Sequence, residues 1–195
     1  ASAALRALNN CSWAGLSLSE LADLSVKAQR IANCTVTGSM DDTWASLDPG
    51  WKLVDPNFNA HESVIIQGEI EQDLSVLIGL RGKRLVEISK ESFSSQRQLF
   101  ERSLASVMSG APLDALSSNG MAVAAATEDY DALRMSNLMI ASGAIASGIS
   151  GSGPSVAVVC FAEDKELLER KIFEMGLQVI STRFVTSESV LEEAF

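Results

Sequence analysis

Read for the spacing of its apolar and polar positions, the chain divides into helical and strand-like stretches. Residues 1–8, Ala-Ser-Ala-Ala-Leu-Arg-Ala-Leu, have the composition of a helix interior. Ser17 and Glu20 form a capping-box pair, with Leu16 placed to staple onto Leu21. Leu21, Leu24, Ala28 and Ile31 then recur at helical spacing, which predicts a helix from about Leu18 to Asn33. Trp51 to Val54 reads as a strand closed by Asp55-Pro56-Asn57, and the loop running on to Glu62 is the expected domain boundary. Beyond it, Ser63 to Ile70 and Leu74 to Leu80 are β-rich runs separated by polar Glu71-Gln72-Asp73, a hairpin pattern. Helices follow at about Ser94 to Met108, ended by Gly110, and at Pro112 to about Ala125, where Pro112 suits a first helical position. A further helix starts near Glu128-Asp129, with Met135, Leu138, Met139, Ser142 and Ile145 as its buried face. Val156 to Phe161 is strand-like, Glu163 to Met175 helical up to Gly176, and Leu177 to Phe184 a last strand. Strand, helix, strand after an earlier hairpin predicts the α+β class: a split βαβ antiparallel sheet covered on one side by helices.

Two stretches between these elements carry candidate chemistry. Gly148-Ile149-Ser150-Gly151-Ser152-Gly153-Pro154-Ser155 holds three glycines and a proline in eight residues. Such backbone can present N–H groups to a ligand without intervening side chains, and it can equally make a tight helix-to-strand connection. In the stretch Thr35 to Ser46, small and hydroxylated residues precede the adjacent carboxylates Asp41 and Asp42, and helix-compatible Thr43 to Ser46 follow. Either carboxylate is suited to N-cap a short helix, or to act as a general base beside a glycine turn that admits a substrate.

Composition narrows the choice. The 195 residues suffice for one large or two small domains, and 47% hydrophobic against 21% charged residues predicts a real core. A net charge of −10 leaves no basic stripe to neutralise phosphates along a nucleic acid. Arg81-Gly82-Lys83-Arg84 is the densest basic piece and reads as a solvated turn after a strand. Cys11, Cys34 and Cys160, scattered and odd in number, fit a reducing compartment and buried thiols rather than disulfides or a zinc site, and the lone His61 reads as a surface loop residue. Met135 to Ala162 lacks Asp, Glu, Lys and Arg, yet its glycines and Pro154 break it into a buried helix, a loop and a strand, so no membrane span is expected. No secretory or transit pattern is read in the first residues. The start at Ala1, without an initiator methionine and already helical in character, suggests a processed or truncated piece.

Three features in one order carry a resemblance: the Thr-Gly-x-x-Asp-Asp turn of Thr37 to Asp42, the helical run Pro112-Leu113-Asp114-Ala115-Leu116-Ser117-Ser118-Asn119-Gly120, and the loop Ser150 to Ser155. Together they are similar to the kinase superfamily of galactokinase, homoserine kinase, mevalonate kinase and phosphomevalonate kinase, over about Ser17 to Phe184. Within it, Thr35 to Asp42 most resembles the archaeal-type shikimate kinases. The resemblance implies a two-lobed α+β architecture. Residues 1–60 would be the remainder of an N-terminal domain, and 61–195 a C-terminal domain with a ferredoxin-like split βαβ sheet. It further implies ATP-dependent phosphorylation of the 3-hydroxyl of shikimate, with Mg²⁺, in the cytoplasm, as a step towards aromatic amino acids. Asp42 then maps to the catalytic carboxylate, with Asp41 as the alternate. Thr37, Gly38 and Ser39 map to substrate binding, and Ser150, Gly151, Ser152, Gly153, Pro154 and Ser155 to a phosphate-side active-site loop. The substrate's carboxylate calls for a cation, and Arg81, Lys83 and Arg84 are candidates.

One departure follows from the same resemblance. The family's ATP-phosphate loop, a glycine-containing turn at a helix N-terminus, should lie just before Ala1, and no Walker loop replaces it, since Gly82-Lys83 is followed by arginine. The chain is therefore expected to be the C-terminal part of such a kinase, partnered by its N-terminal part and inactive without it. The alternatives are a homoserine or mevalonate-type kinase, or a non-catalytic metabolite-binding fragment that kept the fold.

Overall fold

The computed structural model describes residues 1–35, 38–70, 72–84 and 89–192, which fall into two compact units, residues 1–71 with 185–195 and residues 72–184. The expected division at residue 60 runs through the first of them.

The first unit contains helices α1 (Ser2–Ser12), α2 (Leu18–Ile31), α3 (Asp41–Leu47) and α4 (Ala60–Ser63), and strands β1 (Trp51–Val54) and β2 (Val64–Gly68). The capping box forms as expected: the Ser17 side chain accepts from the Glu20 N–H while Glu20 accepts from the Ser17 N–H. Leu21, Ala22 and Val26 of α2 pack with Met40, Trp44 and Leu47 into a core of their own. His61 sits in the four-residue helix α4 rather than in a loop.

The expected hairpin of the two β-rich runs does not form. β2 pairs antiparallel with β1, Trp51 opposite Gly68, while the second run becomes β3 (Leu74–Leu80) in a different sheet. The burial patterns give the reason. β2 alternates half-buried and exposed positions, as suits a small two-stranded sheet, whereas β3 is buried or half-buried throughout and needs a strand on each side.

After β3 the second unit continues through α5 (Lys90–Ser95), α6 (Arg97–Met108), α7 (Pro112–Ala126), α8 (Tyr130–Ala141), β4 (Ala146–Ile149), β5 (Val156–Phe161), α9 (Lys165–Glu174) and β6 (Gln178–Arg183), and α10 (Ser187–Glu192) returns to the first unit. The single helix expected from Ser94 to Met108 is two, separated at Gln96, whose backbone leaves the helical region with ψ at 19°. The sheet order is β4-β5-β3-β6 with every neighbouring pair antiparallel, which is the split βαβ arrangement expected from the sequence. Helices α8 and α9 cover one face. Leu77 is fully buried there, and a Cβ on Gly79 would lie 2.6 Å from Met135 Cε and 3.5 Å from Ile172 Cγ2. Met135 and Met139 are core filler, as their spacing predicted, but Leu138 is 41% exposed.

Of the three thiols only Cys160 is buried, and burial pushes its pKa up, leaving an inert core residue. Cys11 and Cys34 are exposed, contrary to expectation, because both lie at helix ends rather than on packed faces. Among the described residues, no helix is long and apolar enough to cross a membrane.

Candidate active site

The glycine-rich stretch is a strand-to-strand hairpin, not the helix-to-strand connection that its flanking pattern suggested. Ala146 to Ile149 pair with Val156 to Val159, so Gly148 and Ile149 belong to β4 and only Ser150 to Ser155 make the turn. Within it the Ser150 N–H donates to the Ser155 carbonyl at 2.8 Å and the Gly153 N–H to the Ser150 carbonyl at 3.0 Å. Gly151 and Gly153 hold φ of 56° and 79°, a region that side-chain-bearing residues resist, and the Gly153–Pro154 peptide is cis. The six residues expected to share a loop are thus brought together.

Gly148 has a different task. A Cβ on Gly120 of α7 would lie 2.4 Å from Gly148 Cα, and one on Gly148 would lie 2.8 Å from the Leu116 carbonyl oxygen. Helix and strand therefore meet backbone to backbone at this pair of glycines. Ser117, also on α7, accepts a hydrogen bond from the Ser147 N–H at 3.2 Å and fixes the helix along the strand.

The residues following β3 brace the hairpin from outside. The Arg81 guanidinium makes two bonds to Asp129, at 2.7 and 2.8 Å, and one to the Pro154 carbonyl at 3.1 Å. Arg84 donates to Ser152 Oγ at 2.6 Å and to the Gly153 carbonyl at 3.2 Å. The side chains of Arg81 and Asp129 are only 16% and 20% exposed, so Arg81 departs from the solvated turn expected here, whereas Gly82, Lys83 and Arg84 are exposed as expected. Asp129 also N-caps α8, accepting from the Ala132 N–H at 3.0 Å. Burial alone would raise its pKa, but the bonds from Arg81 and Ala132 and the charge of Arg81 together outweigh it and hold the carboxyl below its ordinary value. Arg81, Lys83, Arg84, Glu128, Ser152 and Pro154 are among the walls of a cleft of about 380 Å³ beside the hairpin.

The carboxylate turn belongs to the first unit. Thr43, Trp44 and Leu47 of α3 are buried, and the Trp44 indole donates to Ser63 Oγ at 3.3 Å, so the helix turns Asp41 and Asp42 outward to solvent. Neither carboxylate caps the helix: the N-cap position is Met40, and Asp41 and Asp42 are the first two helical residues. The turn ahead of them is held by Arg30, whose Nη2 donates to the Gly38 carbonyl at 2.8 Å, and by the Gly38 N–H donating to Thr35 Oγ1 at 2.9 Å. Gly38 is favoured by its φ of 69°, and a Cβ there would lie 2.8 Å from Arg30 Nε, so a side chain would also displace the arginine that holds the turn. Ser39 follows it, half-buried, and Thr37 lies outside the described residues. Each motif is described within its own unit, the carboxylate turn in one and the glycine hairpin in the other.

Sequence reasoning did not foresee Arg30, Asp129 or Ser117 as supports. Arg30 had a signal, a cation in the last turn of a helix that runs into a glycine turn; Asp129 was seen only as a helix-start charge, and Ser117 has no local signature.

No family model matches the chain. It is 29% identical over 177 residues to a shikimate kinase of Methanobrevibacter smithii, an alignment covering 83% of this chain and 58% of that enzyme. Among solved structures it is similar to a homoserine kinase from Cytophaga hutchinsonii, with a TM-score of 0.60 and 14% identity over 95% of this chain and 63% of that one. It is also similar to the Methanococcus jannaschii mevalonate kinase, with a TM-score of 0.55 and 10% identity over 88% and 57% of the two chains. The fold is thus shared with that homoserine kinase and that mevalonate kinase, and it is the α+β architecture the ordered motifs implied. By sequence the chain is similar, within that fold, to a shikimate kinase, and it spans little more than half of that relative's length.

Proposed function

We propose that this chain is the C-terminal part of an ATP-dependent small-molecule kinase that phosphorylates the 3-hydroxyl of shikimate. The observation that carries the catalytic reading is the pair of exposed carboxylates following the braced Gly38 turn, with no ion partner among the described residues. A helix start occupied by carboxylates that cap nothing leaves those groups available for chemistry. Shikimate is favoured over other acceptors by the similarity to the curated kinase, since the structural likenesses speak to fold alone.

Phosphoryl transfer asks for positioning, for charge neutralisation, and for a group that orients the attacking hydroxyl. Asp42 takes the last role: it accepts the proton of the substrate hydroxyl as that oxygen bonds to the γ-phosphorus and the bond to the ADP oxygen breaks. Asp41 is the alternate. Gly38 and Ser39, with Thr37 before them, are assigned to substrate binding, and in the other unit the hairpin Ser150 to Ser155 is assigned to an active-site loop. Carboxylates are suitable oxygen donors for Mg²⁺, which is usually held by one or two of them together with substrate phosphates. The ion would supply charge neutralisation that a chain of net charge −10 does not. The ATP-phosphate loop is assigned to the N-terminal part of the enzyme. A cytoplasmic step towards aromatic amino acids is the role that goes with this substrate.

The deciding measurement is ADP release by the enzyme with its N-terminal part present, offered shikimate, homoserine or mevalonate in turn. Turnover with shikimate that collapses in Asp42→Asn is the expected result. Activity on homoserine alone would overturn the substrate, and an Asp42→Asn variant as active as its parent would return the carboxylate to a structural role.

A further inference from the structure

We propose that the cleft beside the glycine hairpin is a carboxylate-binding subsite for a small hydroxylated acid. The Lys83 ammonium and the Arg84 guanidinium hold the anion, and Ser152 and Glu128 meet the ligand's hydroxyl groups. The cleft lies wholly within the second unit, and its volume of about 380 Å³ is near the small end of ligand sites, which run from about 300 to 1,000 Å³.

The charges along its wall are not equally available. Arg81 is bound by both nitrogens to Asp129, and Asp131 accepts from Arg134 at 3.2 Å, so these acids are already answered. What remains is Lys83, in no ion pair among the described residues, together with Arg84 and Glu128. With Arg134, outside the lining, set against Asp131, Lys83 and Arg84 face Glu128 and leave a single positive charge in excess. That balance suits a monoanion and opposes a nucleotide triphosphate, which would bring several negative charges against Glu128.

Arg84 is also aimed in advance. Its Nη2 is tied to Ser152 Oγ and to the Gly153 carbonyl, which orients the planar group, while a guanidinium has five N–H donors and those two bonds leave others for a ligand. A carboxylate here would be read by a fork and a point charge, both charge-assisted. Glu128, exposed at the start of the segment leading to α8, accepts from hydroxyl groups, which an unadorned carboxylic acid lacks.

Naming shikimate as the acid rests on the kinase reading; the subsite itself does not. The test is calorimetric titration of the 195-residue chain with shikimate, its methyl ester, inorganic phosphate and ATP. Shikimate is expected to bind and the ester to bind weakly. Lys83→Met should lower shikimate affinity about ten- to a hundred-fold, the range for a lost hydrogen bond to a charged group, and leave the weak ester binding unchanged. Arg84→Gln should act in the same direction. Because Arg84 also braces the hairpin, Lys83→Met decides the matter if the Arg84 variant melts early. Shikimate binding that is absent or indifferent to Lys83, or a Lys83 dependence seen for phosphate or ATP instead, overturns the subsite. Lys83-dependent shikimate binding in an enzyme that transfers no phosphate to shikimate would sink the kinase reading and keep the subsite. Shikimate turnover with KM unchanged in Lys83→Met would do the reverse.

Discussion

The glycine hairpin and the carboxylate turn carry the two sets of residues expected to matter, yet they are restrained very differently. The hairpin closes on itself through the Ser150–Ser155 bond and is then gripped by Arg81 and Arg84 of the segment after β3, with its first strand seated glycine against glycine on α7. The turn before α3 hangs from Arg30 and its own Thr35, and the carboxylates beyond it form no ion pair among the described residues. The surface proposed to hold its shape is built from many mutual supports, whereas the group proposed to accept a proton is left uncommitted. Flexibility is therefore not what the glycines supply here; the loop is the more heavily supported of the two.

The comparison breaks most severely at Asp42. Asp42→Asn is expected to cut turnover of the enzyme by about 10²- to 10⁴-fold, the usual contribution of a positioned general base, with the melting curve unmoved; a lowered melting temperature would mean that the carboxylate is structural after all. At the other motif the effect should fall on folding. Gly120→Ala forces a methyl group into the Gly148 backbone, which no rotamer change can relieve, and should cost about 3 kcal/mol in chemical denaturation, the upper range for overpacking.

Asp129→Ala comes next, because it removes a helix cap and leaves Arg81 without its partner. A loss of about 2 kcal/mol is expected, summing a cap and a charge-assisted hydrogen bond after allowance for partial exposure. The pH dependence has a definite sign. A carboxyl held below its ordinary value in the folded protein contributes stability that is fully present above about pH 4, the unfolded value, and is lost as pH falls through the folded value. The acid limb of the stability profile should accordingly flatten in Asp129→Ala. The smallest effect is assigned to Arg30→Ala. It removes one hydrogen bond from an exposed side chain and should cost about 1 kcal/mol, while raising the KM of the enzyme for its acceptor if the Gly38 turn guides the substrate.

Much of this was legible because local patterns had local causes. The capping box at Ser17, the proline opening α7 and the methionine stripe of α8 each act within a turn or two of chain, and each was found where the spacing put it. The pairing of strands was not local. Ser63 to Ile70 and Leu74 to Leu80 are adjacent and similarly β-rich, so the pattern joined them, whereas the actual choice of partners was made by residues 51–54, 156–161 and 178–183. The same limit hid the supports of the candidate site. Arg81 and Asp129 are separated by 48 positions, and Ser117 and Ser147 by 30, distances at which a single sequence carries no signal. The carboxylates were visible as a motif, but whether they capped α3 depended on the conformation of Met40.

The strand order β4-β5-β3-β6 has a consequence for how the second unit is made. Its first strand to be synthesised, β3, takes an inner position between two strands that come later, and its second partner is the last of the sheet to be completed. The β4–β5 hairpin needs only its own short turn and can form early, while β3 waits with an apolar edge open until the chain is nearly finished. Translation that stalls before residue 178 would leave that edge unpaired and prone to join another chain. The vulnerable moment for this unit is thus late in synthesis, and the strand at risk is one that the finished fold holds between two neighbours.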